Sequence, residues 1–280
     1  MNKRIGFIQG RLSPLVNGRI QAFPKDHWRD EFLLGDKHDI RMIEWTLDYK
    51  GLHENPLLTS EGQQEIKRMS SENSISIPSL TGDCFMQTPF WKVSKAQRES
   101  SERDFLAVVD ACSIMGTKYI VVPLVDNGGL ETAQEEEVLV EFMERHTEVF
   151  QLKEVVIVFE SDFDPPELKR FIAQFPTGIF GINYDIGNSA SLGYLFEDEF
   201  EAYGDRILNV HLKDRLLGGL TVPLGAGNAR LPEAITALEQ GGYCGNYILQ
   251  TARAVDGDHV GAICDYRDMV KDWIGQARWN

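Results

Sequence analysis

The chain is poor in cysteine, with only Cys84, Cys112, Cys244 and Cys264 in 280 residues. They form no CxxC pair and no tight framework, so they read as reduced thiols of a cytoplasmic protein rather than as disulfides. Long hydrophobic runs are absent too. No window approaches 18 uninterrupted apolar residues, so no membrane association is expected. The opening "MNKRIGFIQGRLSP" breaks its apolar run at Gln9 and Arg11, unlike a signal peptide. Positive charge is scarce: 28 Lys and Arg stand against 43 Asp and Glu, a net charge of −15. A surface that acidic repels phosphate backbones, so no nucleic-acid partner is expected, and an anionic ligand would need a local cluster of cations. No Pro/Gly linker, internal repeat or low-complexity stretch divides the chain, which reads as one domain over 1–280.

What the sequence does have is regular alternation. Short apolar runs rich in β-branched and aromatic residues fall at 4–10, 42–47, 75–80, 118–125, 154–160, 181–185, 207–213 and 247–251. Their hydrophobicity is continuous rather than alternating, as in strands covered on both faces. Helix-like segments lie between them at 60–73, 94–116, 132–151, 164–175, 231–242 and 261–277. Eight strand–helix alternations over this length predict a (β/α)8 TIM barrel. A doubly wound open sheet is the alternative, disfavoured because "GFIQGRLSP" after the first strand holds no GxGxxG.

In such a barrel the site forms at the C-terminal ends of the strands. The polar residues there are Gln9 and Arg11 on the first strand, Glu44 on the second, Asp83 and Asp126 after the third and fourth, then Glu160, Asp185, His211 and Gln250. A single acid at a strand end is commonly a loop hydrogen-bonder or a helix cap. Three consecutive strands ending in Glu, Asp and His within apolar runs are a different matter, because buried charges are costly unless paired or bound to a cation. Two carboxylates and an imidazole suit Mn²⁺, Mg²⁺, Zn²⁺ or Co²⁺.

The segments "IGFIQGRLSP", "MIEW", "YDIGNSASLGY", "VHLKDRLLGGLTVPLGAGN" and "YILQTAR" resemble the xylose isomerase-like TIM-barrel superfamily. Within it they look closest to the sugar-phosphate isomerase/epimerase group with L-xylulose 5-phosphate 3-epimerase-like proteins. The resemblance implies one divalent metal ion held by four side chains from the last four strands. Carried over to this chain, these are Glu160, Asp185, His211 and Gln250. The last is a departure, since the relatives carry a second glutamate there. The implied activity is isomerisation or epimerisation of a sugar or sugar phosphate through a metal-stabilised enediolate, with Glu160 as the catalytic base. Gln250 offers a carbonyl oxygen to a metal but cannot exchange protons, so a two-glutamate epimerisation is expected to be impaired and a one-base reaction remains.

Substrate contacts are expected from Arg11, Glu44, Asn188, Lys213, Arg215 and Arg253, with Gly225 and Gly227 offering backbone N–H groups to an anion. Trp45, Phe85 and Trp91 read as core or lid packing. The alternatives are a non-catalytic carbohydrate-binding barrel and an inosose dehydratase-like lyase. An endonuclease IV-type enzyme of the same superfamily is disfavoured, because only His211 of the six histidines sits at a strand end. A homo-oligomer is expected by analogy alone.

Overall fold

The computed structural model describes residues 2–277. Its strands are β1 (Ile5–Ile8), β2 (Met42–Thr46), β3 (Ser76–Thr81), β4 (Tyr119–Leu124), β5 (Val156–Ser161), β6 (Phe180–Asp185), β7 (Ile207–Leu212), β8 (Asp214–Arg215), β9 (Thr221–Val222) and β10 (Asn246–Leu249). All but β8 and β9 close into a parallel barrel in the order β1-β10-β7-β6-β5-β4-β3-β2. The short β8–β9 pair is an antiparallel hairpin standing beyond β7. The fold is therefore the TIM barrel expected, with one added hairpin.

The helices are α1 (Trp28–Lys37), α2 (Ser60–Asn73), α3 (Asp83–Gln87), α4 (Lys95–Met115), α5 (Ala133–Arg145), α6 (Thr147–Leu152), α7 (Pro165–Ile172), α8 (Ile186–Leu192), α9 (Phe196–Tyr203), α10 (Leu231–Gln240) and α11 (His259–Ala277). Local chemistry sets many of their ends. Thr132 and Glu135 form a reciprocal capping box at α5. Asp164 caps α7 by accepting the Glu167 N–H at 2.9 Å, and Pro165 and Pro166 occupy the first turn. Gly116, in the left-handed region at φ 71°, stops α4.

One expected helix divides. The segment 132–151 breaks at His146, where the His146 Nδ1 approaches the Phe142 carbonyl and the Thr147 hydroxyl donates to the Met143 carbonyl. Such side-chain bonds compete with the helical ladder. The helices α1, α3, α8 and α9 were not anticipated. Among the described residues no helix is long and apolar enough to cross a membrane.

Period-two alternation decides what each strand sends inward. Phe7, Ile43, Leu80, Ile120, Phe159, Val210 and Leu249 face the helices in the main core. Trp45, Phe85 and Trp91 are buried there as well. Ile8, Met42 and Ile248 form one separate apolar cluster, and Val121, Val156 and Val158 another.

The loop after β1 is tied down by a buried carboxylate. Glu31 of α1 accepts the N–H groups of Gly10 (2.9 Å) and Leu12 (3.0 Å). Gly10 sits at φ +93°, and a Cβ there would meet the Ala22 carbonyl at 2.8 Å, so the turn requires glycine. Burial pushes the Glu31 carboxyl up to about 7 from an ordinary 4.5, against the pull of its N–H donors. The folded chain thus keeps this proton to higher pH than the unfolded chain does. The linked stability is full below about pH 4.5 and is lost as pH rises through about 7, an effect of about 3 kcal/mol. Urea unfolding of Glu31→Gln, which cannot ionise, is expected to show a pH dependence smaller by about that amount. An unchanged profile would contradict the assignment.

Candidate active site

Parallel register brings the carboxylates and the imidazole together. Asp185 pairs with His211 across β6 and β7, and Pro123 pairs with Glu160 across β4 and β5. One potential ligand atom each from Glu160, Asp185 and His211 lies within 4.8 Å of the others, and all three residues are buried. Each is held by second partners. Glu160 accepts N–H groups from Asn183 and Asn188, both at 2.9 Å. Asp185 caps α8 through the Asn188 N–H at 2.9 Å and receives the Lys213 ammonium at 2.5 Å.

His211 is fully enclosed between two acids. Its Nε2 lies 2.6 Å from Glu44 and its Nδ1 lies 3.2 Å from Glu160. Burial alone would lower the imidazole, but the charges and hydrogen bonds of Glu44 and Glu160 override it and raise it to about 10. Glu44 is accordingly not on an open pocket wall. It is completely buried, and besides His211 it accepts from Ser79 (2.7 Å), Thr81 (2.5 Å) and Asn209 (2.9 Å). Burial pushes the Glu44 carboxyl up, and His211 with the two hydroxyls outweighs this, leaving it below its ordinary value. A carboxylate behind a candidate metal-binding histidine orients the ring and fixes its protonation.

The cations are also engaged by the protein. Arg11 donates to the carbonyls of Thr251 (3.0 Å) and Ile20 (2.6 Å) and to Gln21 (3.1 Å). Burial and the neighbouring Arg253 push Arg11 down to about 9. Arg253 donates to the Gly10 and Ser13 carbonyls. Arg215 is bound to the Gly219 carbonyl and to Asn188 at 2.9 Å. Asn188 is thus a hub for Glu160, Lys213 and Arg215.

The glycine loop departs from expectation. The N–H groups of Gly225 (2.8 Å), Gly227 (2.9 Å) and Ala229 (3.1 Å) converge on the buried Asp214 carboxylate. The expected anion nest is therefore filled by a side chain of the protein itself. A Cβ on Gly227 would lie 2.2 Å from that carboxylate.

Gln250 follows β10, its N–H bonded to the Leu212 carbonyl of β7 at 3.0 Å. Its side-chain amide donates to Gln21 at 3.1 Å, while its Oε1 is buried and meets no donor among the described residues. Gln21 in turn donates to Asp83 at 3.0 Å. Burial pushes Asp83 up to about 7, with the charges of Asp48 and Glu160 adding to it. Asn183, Asn209, Gln21 and the Ser79–Thr81 pair were not picked out from sequence. Asn183 and Asn209 could have been, since each stands two residues before a polar strand end and so shares its face.

The fold and site together are a closed parallel barrel with a carboxylate–imidazole centre at its strand ends. Residues 36–270 match the family described as Xylose isomerase-like TIM barrel, and the chain belongs to it. L-ribulose-5-phosphate 3-epimerase UlaE of Escherichia coli is 30% identical over 99 residues, spanning 35% of each chain, so the match covers about a third of that relative. The crystal structure of IOLI protein with a bound zinc atom superposes with a TM-score of 0.77 at 16% identity, covering 98% of this chain and 99% of that one. D-allulose 3-epimerase from Methylomonas sp. gives 0.76 at 14% identity, covering 96% and 97%. At these identities the structural likenesses establish the shared barrel.

Removing Glu44 leaves the buried His211 charge without its closest partner. Glu44→Ala is expected to destabilise the metal-free protein by about 3–5 kcal/mol in urea titrations with chelator present. A loss below about 1 kcal/mol would show that the pair is not charged.

Proposed function

We propose that this chain is a metal-dependent isomerase or epimerase acting on a sugar or sugar phosphate. The observation that carries the reading is the convergence of Glu160, Asp185 and His211 within 4.8 Å, from three adjacent strands of the barrel. This donor set fits a divalent cation, and the partnerless Gln250 Oε1 on the neighbouring strand end is the acceptor suited to a fourth position. Zinc in the IOLI structure and the epimerase activities named for UlaE and the Methylomonas protein support the same reading. A bound Mn²⁺, Mg²⁺, Zn²⁺ or Co²⁺ would supply Lewis acidity toward a sugar carbonyl and its neighbouring hydroxyl.

The residues of this chain divide the remaining work. Asn183 and Asn188 each hold one oxygen of Glu160, fixing the plane of the carboxylate that takes a carbon-bound proton. Glu44 steers His211, and Lys213 with the α8 N-terminus steers Asp185. Gln250 holds no exchangeable acid proton. The chemistry that fits is therefore a one-base transfer, in which Glu160 removes the proton from one carbon and delivers it to the neighbouring carbon of the enediolate.

Metal analysis after mild purification is expected to find one divalent ion per chain, and added Mn²⁺ is expected to raise the melting temperature. Finding no ion and no shift would overturn the proposal. Glu160→Gln is expected to lower kcat by about 10²–10⁴-fold with little change in fold.

Gln250→Glu adds a charge and a second base. It is expected to bind Mn²⁺ roughly tenfold more tightly and to increase inversion at a sugar carbon, read by loss of configuration in NMR. Unchanged affinity would remove Gln250 from the ligand set.

A further inference from the structure

The chemistry around the mouth of the barrel narrows the substrate. A phosphate ester needs donors free to receive it, from arginine, lysine or a nest of backbone N–H groups. Each of the four cations expected around this mouth already has acceptors within the protein, and the Arg253 Nε, which lacks one, is buried. Arg11 and Arg253 join the loop after β1 to the loop after β10 through backbone carbonyls. Lys213 neutralises Asp185 at 2.5 Å, and Arg215 closes the β8–β9 hairpin on the Gly219 carbonyl. The glycine loop after β9, the natural nest, is filled by the Asp214 carboxylate.

Beside Arg11, which donates to Gln21 at 3.1 Å, the mouth is acidic and amide-lined. Gln21 reaches from the loop after β1 and links Gln250 to Asp83. Asp83 begins α3 and is buried, and Gln21 is its one side-chain hydrogen-bond partner among the described residues. It stands close enough to Glu160 and His211 to feel their charges. An acidic oxygen without a donor is open to accept a sugar hydroxyl.

We infer that the substrate is an uncharged sugar taken without a phosphate ester, and that Asp83, oriented by Gln21, receives one of its hydroxyls. The inference rests on the proposed function, since it names the substrate class of that same site. Lys213 and Arg215 then shape the site through Asp185 and Asn188 instead of gripping a phosphate.

The test uses the full chain loaded with Mn²⁺ and matched pairs of probes: D-ribulose and its 5-phosphate, D-xylulose and its 5-phosphate, D-fructose and its 6-phosphate. Calorimetric binding and turnover by NMR are measured for each pair. The expected result is at least tenfold higher affinity for the free sugar of the best pair, with its ester binding no better than inorganic phosphate. An ester favoured tenfold or more overturns the substrate class and leaves the isomerase reading standing. Binding of neither partner in any pair overturns both. Asp83→Asn provides an independent check. It is expected to weaken binding of the best free sugar at least tenfold while Mn²⁺ affinity stays within twofold. Unchanged sugar affinity in a folded, Mn²⁺-binding variant would remove Asp83 from the site.

Discussion

The interior of this barrel is organised by one buried ring. His211 has no exposure to solvent, and each of its nitrogens faces a carboxylate carried by a different strand, Glu44 on β2 and Glu160 on β5. Enclosing a histidine and two acids is unfavourable unless their charges and hydrogen bonds compensate one another. Here compensation extends outward through Ser79, Thr81, Asn183 and Asn209, so β2, β3, β5, β6 and β7 are tied to one centre. The same network gives Glu44 and Glu160 unequal roles. Glu44 is surrounded by protein donors on all sides, whereas Glu160 belongs to the cluster whose ligand atoms converge.

A second theme is how the loops use the chain's own charged groups. The turn after β1 folds around Glu31, and the glycine loop beyond β9 folds around Asp214. In both places a carboxylate of the chain does what an external anion does in other proteins, drawing backbone N–H groups into a fixed concavity. Arg11 and Arg253 play the complementary part with carbonyls, stitching the first and last strand loops together where the barrel closes. These loops are thus pre-shaped before any ligand arrives, which lowers the ordering entropy that binding must overcome.

Much of this was legible in the chain and some was not. Continuous apolar runs marked the eight barrel strands, because each packs helices on one side and the barrel interior on the other. The polar strand ends Glu160, Asp185 and His211 stood out against those runs, and they converge. The roles of Glu44, Arg11 and Arg253 were harder to see. Nothing in "MIEW" shows that its acid faces a histidine 167 positions away, and nothing in "TAR" shows that the arginine meets carbonyls of the first loop. The glycine loop misled for a similar reason: glycines announce room for an anion but not that Asp214 supplies it.

By itself the sequence determined the periodicities, the turn residues and the identity of the groups at each strand end. These are local properties, governed by side-chain spacing of two or 3.6 residues and by backbone preferences that act within a few positions. Tertiary structure alone decided which charged groups meet, which donors are left free and which are already engaged. Those outcomes depend on barrel closure, which sets residues far apart in the chain at hydrogen-bond distance in a medium that makes every pairing, and every missing partner, count.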